Sequence, residues 1–219
     1  MVNGHHYKKK MESFHTLLVA LVCCCLLVGT CMAATQAPFY TINNFAGNGV
    51  GGYSGDNGPA TSASIHTPYG TCLSSSGDVF IVDTANNAIR KVTQSTGIIT
   101  TLTTAVKVPM SCSVNSNGDV FVSNQTHVAK VAASDKSVSF VISNDLVFFV
   151  VTYNNDLYYS DGRALVRKLA SGASVPTIVA GNGTAGFGGD GGLATNAMLN
   201  FASGLFVASN GDLYISGKL

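Results

Sequence analysis

Two glycine-rich stretches, 46–63 and 180–197, contain carboxylates that could hold a cation. Asp56 and Asp190 occupy the same position in the two stretches, among Gly and Asn residues. Carboxylate and loop carbonyl oxygens are the ligands that Ca²⁺ prefers. A calcium site usually gathers several carboxylates, however, and neither stretch has the alternating Asp and Asn of a calcium-binding hand. We therefore favour a turn at both positions and keep calcium binding as the weaker alternative.

The same stretches match the G-x-G-x-x-G spelling of a dinucleotide-binding loop, beginning at Gly47 and Gly181. Such a loop must open a helix whose N-terminus receives the pyrophosphate. Residues 54–59, which follow the first match, are rich in Gly and end in Pro, so they are unsuited to a helix. The sequence argues against a nucleotide site, and we predict no bound cofactor.

Few side chains that could support catalysis lie after position 33. His66 and His127 are the only histidines there, and no Glu remains. A catalytic zinc takes about three protein ligands with one position left open, and acid–base catalysis needs a suitably placed titrating group. Two histidines with one aspartate would be the smallest zinc set, but these histidines belong to different parts of the chain. We predict no metal centre and no catalytic residue.

Residues 1–33 have the pattern of a secretory signal peptide. Three lysines at 8–10 precede an apolar run at 17–29, and Ala33 ends a short small-residue motif that suits cleavage. The apolar run is shorter than the roughly 20 residues of a membrane span, so a retained anchor is the weaker alternative. We predict secretion of a mature domain, 34–219, with no stable membrane span.

The composition is that of a folded protein with little exposed helix. The chain has 219 residues, 46% of them apolar and 11% charged, with a formal net charge of +1. The high apolar content excludes a disordered chain, and so little charge is unusual for a helical protein. A net charge this close to zero gives no basis for a nucleic-acid partner.

An internal repeat runs through the mature domain. The stretch that starts at Ala46 matches the stretch that starts at Ala180, an offset of 180 − 46 = 134 residues that holds without a gap to Leu219. A shorter unit, a Gly-Asp or Asn-Asp turn followed by an apolar run, occurs four times, with its aspartate at Asp78, Asp119, Asp156 and Asp212. Units of about 40 residues with several short strands are typical of propeller blades.

The aspartates of this unit recur at one position of the repeat, which favours a turn role over catalysis. Asp83 and Arg90 lie on either side of a predicted hairpin connection. We interpret that pair as a structural ion pair.

The segment 83–92 resembles the signature of NHL-repeat β-propellers, which are named for an Asn-His-Leu triplet. Residues 87–89 read Asn-Ala-Ile, so the histidine is missing here. The segment 53–63 is similar to the glycine-rich loops that precede blades in extracellular members. The resemblance covers roughly 38–219 and implies an all-β fold of four-stranded antiparallel blades, with about six blades in a closed ring.

With units of about 40 residues, the resemblance implies an incomplete NHL-type β-propeller of about three and a half blades. A further strand, 39–45, is similar to the outermost strand of a blade, and the fourth blade stops after its second strand. The predicted blades are blade one with strands at 70–75, 78–83, 88–93 and 98–103, blade two at 109–142, and blade three at 146–180.

Cys72 and Cys112 fall on equivalent strands of neighbouring blades. Pro68 and Pro109 each precede their turn aspartate by ten residues (78 − 68 and 119 − 109), which aligns the two units. Cys72 then lies four residues after its proline and Cys112 three after its own, so the side chains point to opposite faces. A disulfide between facing blades fits a secreted protein, and two buried thiols are the alternative.

Two sequons, at Asn124 and Asn182, fit the acceptor rule for N-glycosylation. Asn182 lies in the second glycine-rich stretch, where exposure is expected, so it is the better candidate. Asn124 ends a predicted strand and is less accessible.

The resemblance implies a rigid framework that presents loops, which favours a binding or scaffold module for protein or glycan partners. The alternative is a metal-dependent enzyme similar to propeller lyases and lactonases, which needs His, Asp or Glu side chains at the central axis. An arc of incomplete blades would leave apolar faces and strand edges in water. We therefore expect either self-association through the open edges or a longer propeller of which this chain is part.

Overall fold

The structure is a computed structural model that describes residues 42–218. The predicted signal peptide, 1–33, therefore lies outside the described residues, as do residues 39–41 of the predicted opening strand. Residues 42–45 form no strand, which departs from the prediction for 39–45.

Fifteen strands in the described part of the chain form four sheets, in which all neighbouring strands are antiparallel. The strands are β1 (Gly58–Pro59), β2 (Pro68–Leu73), β3 (Val79–Asp83), β4 (Ala88–Thr93), β5 (Ile98–Thr103), β6 (Ser111–Val114), β7 (Val120–Ser123), β8 (Gln125–Val131), β9 (Val138–Val147), β10 (Phe149–Tyr153), β11 (Asp156–Ser160), β12 (Val166–Leu169), β13 (Thr177–Ala180), β14 (Gly204–Val207) and β15 (Leu213–Ser216). Three short 3-10 turns, Ala60–Ser62, Thr84–Asn86 and Ala194–Asn196, complete the regular structure.

Each sheet is one blade, built from consecutive strands. Blade one contains β2 to β5, with β1 added beside β5; blade two contains β6 to β9; blade three contains β10 to β13; and blade four contains β14 and β15. The first strands of successive blades contact one another, β2 with β6, β6 with β10 and β10 with β14. The predicted all-β, propeller-like fold is confirmed, and the propeller is not closed.

The tight turns predicted before the second strand of each blade are present, with backbone angles that explain their residue types. Gly77, Gly118 and Gly211 have φ of 84°, 82° and 91°, and Asn155 has φ of 64°. These left-handed angles suit Gly, which has no Cβ, and Asn, whose short polar side chain tolerates them.

Apolar side chains fill the space between successive blades. All four residues of β7 are buried, as expected for a strand covered on both faces. Phe80 and Val82 on β3 pack with Val120 and Val122 on β7. On the opposite face of blade one, residues 46–63, which we call loop one, cover a second apolar cluster, whose buried members are Ala60, Ala63, Ile81, Val92 and Ile99.

Candidate binding surface

The second glycine-rich stretch, 180–197, which we call loop two, has the conformation of loop one. In loop one, Gly47 N donates to Ala60 O, and in loop two Gly181 N donates to Ala194 O, both at 2.9 Å. Gly47 and Gly181 have φ of 91° and 89°. The internal repeat found in the sequence therefore extends to backbone conformation, so corresponding residues of the two loops can be compared directly.

Loop one forms a receptor for a fully buried cation, Arg90 on β4. Arg90 Nη2 lies 2.7 Å from Asp56 Oδ1, and Arg90 Nη1 lies 3.4 Å from Asp83 Oδ2, so the predicted Asp83–Arg90 ion pair is present. The guanidinium also donates to the carbonyl oxygens of Ser54, at 3.1 Å, and Ser64, at 3.4 Å. A buried guanidinium is tolerated only when its charge and its donors are matched, and these partners supply that match.

An aromatic ring and a hydroxyl group complete this receptor. The Arg90 guanidinium carbon lies 5.0 Å from the centre of the Tyr53 ring, within cation–π range. Burial raises the pKa of Asp56, but hydrogen bonding by Thr101 and the neighbouring Arg90 outweigh it, and the net effect lowers that pKa. Asp56 is thus an ionised partner of an arginine, a role that the sequence did not reveal.

This arrangement bears on the calcium alternative at Asp56 and Asp190. One oxygen of Asp56 faces the Arg90 guanidinium, which competes with a metal ion for that carboxylate. Within residues 42–218, no three His, Cys, Asp or Glu side chains are grouped closely enough to hold a metal ion. His66 is exposed in the segment before β2, and His127 is half-buried on β8 against Phe140.

The turn aspartates of the first three blades have ion-pair partners that the sequence pattern did not indicate. Each forms an ion pair with a lysine on the third strand of its own blade: Lys91–Asp78 at 2.8 Å, Lys130–Asp119 at 2.8 Å and Lys168–Asp156 at 2.6 Å. The other carboxylate oxygen accepts a backbone N–H after the third strand, as Asp78 Oδ1 does from Gln94 at 3.0 Å. The aspartate therefore fixes the turn and ties it to the third strand.

The hydrogen bond from Lys91 is the main reason that the pKa of Asp78 is lowered, with a further contribution from the Gln94 N–H. Around Asp156, the hydrogen bond from Lys168 is again the leading cause of a lowered pKa. At Asp119, partial burial opposes the shift, and the bonds to Lys130 and Ala133 outweigh it. All three carboxyl groups are held in the ionised form.

Cys72 on β2 and Cys112 on β6 form a disulfide between the first strands of blades one and two, with Cα atoms 5.7 Å apart. Both side chains join the apolar cluster between these blades. The bridge connects residues 40 positions apart and spans two separate sheets. Together with the cluster around it, the bridge makes blades one and two a firmly connected pair.

The two sequons differ in exposure. Asn182 is exposed in loop two, where its Oδ1 accepts from Thr184 N at 2.8 Å. Asn124 is half-buried, and its Oδ1 accepts from His127 N at 3.0 Å. The side chain of Asn182 is thus more exposed than that of Asn124, as the sequence suggested. Glycosylation at either residue stays a prediction.

A groove of about 390 Å³ lies between blades two and three. Its lining includes the Asp119–Lys130 pair, together with Asn115, Asn155 and Ser171. The charges in this groove are already paired with each other. The groove thus offers hydrogen-bonding groups but no unmatched charge.

Blade four and loop two each carry exposed aromatic or aliphatic side chains. Phe206 on β14 and Tyr214 on β15 are 61% and 57% exposed, and their ring centres are 6.1 Å apart. Phe187 and Leu193 in loop two are 74% and 71% exposed. Large exposed apolar side chains that cluster on a folded surface are characteristic of interaction sites.

Comparisons with known proteins give a fold but no family. No protein-family model matches the chain, and no curated protein matches it. Among solved structures it is similar to an auxiliary nutrient binding protein from Bacteroides ovatus ATCC 8483, with a TM-score of 0.55 and 16% identity over 70% of this chain and 43% of that chain. It is also similar to a chain of a nidogen/laminin complex, with a TM-score of 0.54 and 14% identity over 68% of this chain and 57% of that chain.

A weaker similarity, to virginiamycin B lyase from Staphylococcus aureus, has a TM-score of 0.45 and 16% identity over 67% of this chain and 54% of that chain, and it supports no conclusion. The chain spans only 43% and 57% of the first two structures. These similarities agree with the observed sheets and show a propeller-like fold. Membership of the NHL family stays a prediction. In the described part of the chain, no helix has the length and apolar character needed to cross a membrane.

Proposed function

We propose that the protein is a secreted propeller module that binds a protein partner, and that blade four forms the binding surface. The observation that carries this proposal is the exposed aromatic pair Phe206 and Tyr214 on blade four, whose ring centres are 6.1 Å apart. Aromatic side chains are enriched at protein interfaces, where they supply much of the binding energy.

The blades offer a rigid support for such a surface. Hydrogen bonds connect each blade to the next: Thr84 Oγ1 to Pro109 O at 2.7 Å, Ser123 Oγ to Phe148 O at 2.8 Å, and Tyr153 OH to Ser209 O at 3.0 Å. A surface fixed in this way loses little conformational entropy on binding. Blade four is thus presented in a defined orientation relative to blade three.

The proposal includes the compartment and the family. The pattern of residues 1–33 supports secretion, and the resemblance of 83–92 supports an NHL-type propeller. A glycan ligand is an alternative occupant of the same surface, since aromatic rings also stack on sugars. No observation on residues 42–218 favours the metal-dependent enzyme.

A binding array tests this proposal. The mature protein, 34–219, is applied to arrayed secreted proteins and glycans, beside the double variant Phe206→Ser/Tyr214→Ser. A matched control, Tyr69→Ser/Leu73→Ser, removes two exposed side chains from β2 of blade one. We expect protein ligands whose affinity falls about tenfold or more in the blade-four variant and is unchanged in the control. Ligands that are only glycans, or that are insensitive to the blade-four variant, would contradict the proposal.

A further inference from the structure

A second groove, of about 240 Å³, lies between blades one and two. One wall comes from β4 and β5 of blade one, and the other comes from β8 and the turn that follows it in blade two. Both blades have all four of their strands, and the Cys72–Cys112 disulfide joins their first strands. The groove is therefore formed by two finished blades that are covalently connected.

The alternation of side chains along β4 and β5 determines which of them line the groove. Arg90 and Val92 lie on the side of loop one, so Lys91 and Thr93 lie on the opposite face, towards blade two. Thr100 on β5 is paired with Lys91 and lines the groove beside it. One ammonium group and two hydroxyl groups consequently share this wall.

The two hydroxyl groups are available to a ligand. Thr93 and Thr100 are half-buried, and the hydroxyl group of neither forms a hydrogen bond with any residue in 42–218. A hydroxyl group can donate one hydrogen bond and accept others. A few convergent polar groups of this kind orient a ligand within a pocket.

The second wall contributes Lys136, from the turn between β8 and β9. Lys136 N donates to Ala132 O at 3.0 Å, as Gly97 N donates to Thr93 O at 2.8 Å in the corresponding turn of blade one. Both residues have left-handed backbone, with φ of 59° for Lys136 and 67° for Gly97. This conformation suits glycine and is strained for lysine. Blade two thus has a strained lysine, with its side chain in the groove, where blade one has a glycine.

Lys136 gives the groove a positive charge that no described residue neutralises. Lys91 is paired with Asp78 at 2.8 Å, whereas exposed Lys136 belongs to none of the ion pairs among residues 42–218. Asp135, its neighbour in sequence, is not part of the lining, and its Oδ1 accepts a hydrogen bond from Ser137 N at 2.9 Å. The groove is consequently suited to a negatively charged ligand.

The groove between blades two and three lacks this charge. Lys130 holds the position of Lys91 there and is paired with Asp119. The turn of blade three contributes Gly172 and Ser174 to the lining and no second lysine. The two grooves therefore share a place in the fold and differ in charge.

We propose that the groove between blades one and two binds a small organic anion, in which a sulfate, phosphate or carboxylate group is attached to a sugar-sized carbon frame. Lys136 and Lys91 balance the negative charge, and Thr93 and Thr100 donate hydrogen bonds to its oxygen atoms. The groove is smaller than the roughly 300–1,000 Å³ of pockets for drug-sized molecules, which limits the size of the ligand.

An apolar part of the groove accommodates the carbon frame. Phe80 and Leu102 line it and belong to the apolar cluster between blades one and two. An aromatic ring and an aliphatic side chain can pack against the apolar face of a sugar ring. The site is separate from blade four, so this inference does not depend on the proposed function.

Isothermal titration calorimetry of the mature protein, 34–219, tests the inference. The probes are glucose 6-sulfate, glucose 6-phosphate and glucuronate, with glucose as the neutral reference. We expect saturable 1:1 binding of at least one of the three anions, and no saturable binding of glucose. The anion that binds most tightly identifies the charged group that the site prefers. Its affinity should fall as the salt concentration rises.

Variants locate the site. Lys136→Gln should weaken binding of that anion about fivefold or more, and so should Thr93→Val/Thr100→Val, which removes both hydroxyl groups and keeps their shape. Lys107→Gln removes an exposed lysine outside the groove and should leave the affinity unchanged. Lys136→Gly should also lose binding, yet raise the urea concentration of half-unfolding, because glycine relieves the left-handed strain. Loss of binding is thereby separated from loss of fold.

Failure of all three anions to bind would overturn the inference, as would an affinity that Lys136→Gln leaves unchanged. Equal weakening by Lys107→Gln would also overturn it, because the effect would then follow from net charge alone. Phe206→Ser/Tyr214→Ser should bind the anion as the unaltered protein does. The anion site and the blade-four surface can therefore fail independently.

Discussion

Asp56 Oδ1 accepts a hydrogen bond from Arg90 Nη2 at 2.7 Å, and this contact joins two residues 34 positions apart. It connects loop one, which precedes blade one, to the third strand of that blade. The contact encloses a positive charge, because the Arg90 side chain has no exposure to solvent. Loop one is consequently held against blade one by electrostatics as well as by the apolar cluster beneath it.

Arg90→Met should destabilise the protein strongly. The substitution keeps the length and most of the packing of the side chain but leaves Asp83, which is fully buried, without a counter-charge. Loss of one partner from a buried pair costs about 3–5 kcal/mol. Urea denaturation measures this cost, and Lys91→Met, which breaks a partly exposed pair on the same strand, should cost about 1 kcal/mol or less. Equal effects of the two substitutions would contradict the receptor role of loop one.

Removal of the Cys72–Cys112 bridge should lower the free energy of unfolding by about 2–4 kcal/mol, because the bridge restricts the unfolded chain. The double variant Cys72→Ala/Cys112→Ala, compared with the unaltered protein in urea, gives this value. Adding a reductant to the unaltered protein should reproduce the change and should not affect the double variant. Two free thiols titrated in the denatured, unreduced protein would show instead that the cysteines are unbridged.

The stability contributed by the turn aspartates should disappear in acid. The pKa of Asp78 is lowered from 3.8 in the folded state, chiefly by Lys91. A lowered pKa contributes stability that is fully present above the unfolded value and is lost as the pH falls through the folded value. The difference in unfolding free energy between the unaltered protein and Asp78→Asn should therefore be largest near neutral pH and should shrink below about pH 4. The corresponding difference in unfolding free energy for Asp212→Asn should be smaller, because Asp212 has no lysine partner among the described residues.

The sequence predicts features that depend on neighbouring residues better than features that depend on distant ones. The left-handed turns at Gly77 and Asn155 are local, and so are the apolar runs of β3 and β7, because the residue type itself selects the conformation. The partner of Asp56 could not be deduced, since a loop residue and a strand residue meet only after the blade has formed. The Lys91–Asp78 contact could not be deduced either, since it joins a turn to a strand that follows later in the chain. The strand at 39–45 is predicted from its resemblance to a family alone, and residues 42–45 form no strand.

A secreted product should begin near Ala34 and should carry a glycan at Asn182, where the loop is exposed. Mass spectrometry before and after glycosidase treatment measures both properties, and Asn182→Gln should remove the glycan. Asn124→Gln is the matched control and should have little effect on the mass. An intact Met1 terminus on an unglycosylated product would contradict secretion.

The central claim is that blade four forms a protein-binding surface, and amide hydrogen exchange of the mature protein tests it most directly. The repeat supplies an internal control, since residues 68–83 form the first hairpin of blade one and 202–217 form the equivalent hairpin of blade four. We predict that a protein ligand found in the binding array slows exchange in 202–217 and leaves exchange in 68–83 unchanged. Slower exchange in 68–83, or no change in 202–217, would contradict the binding surface.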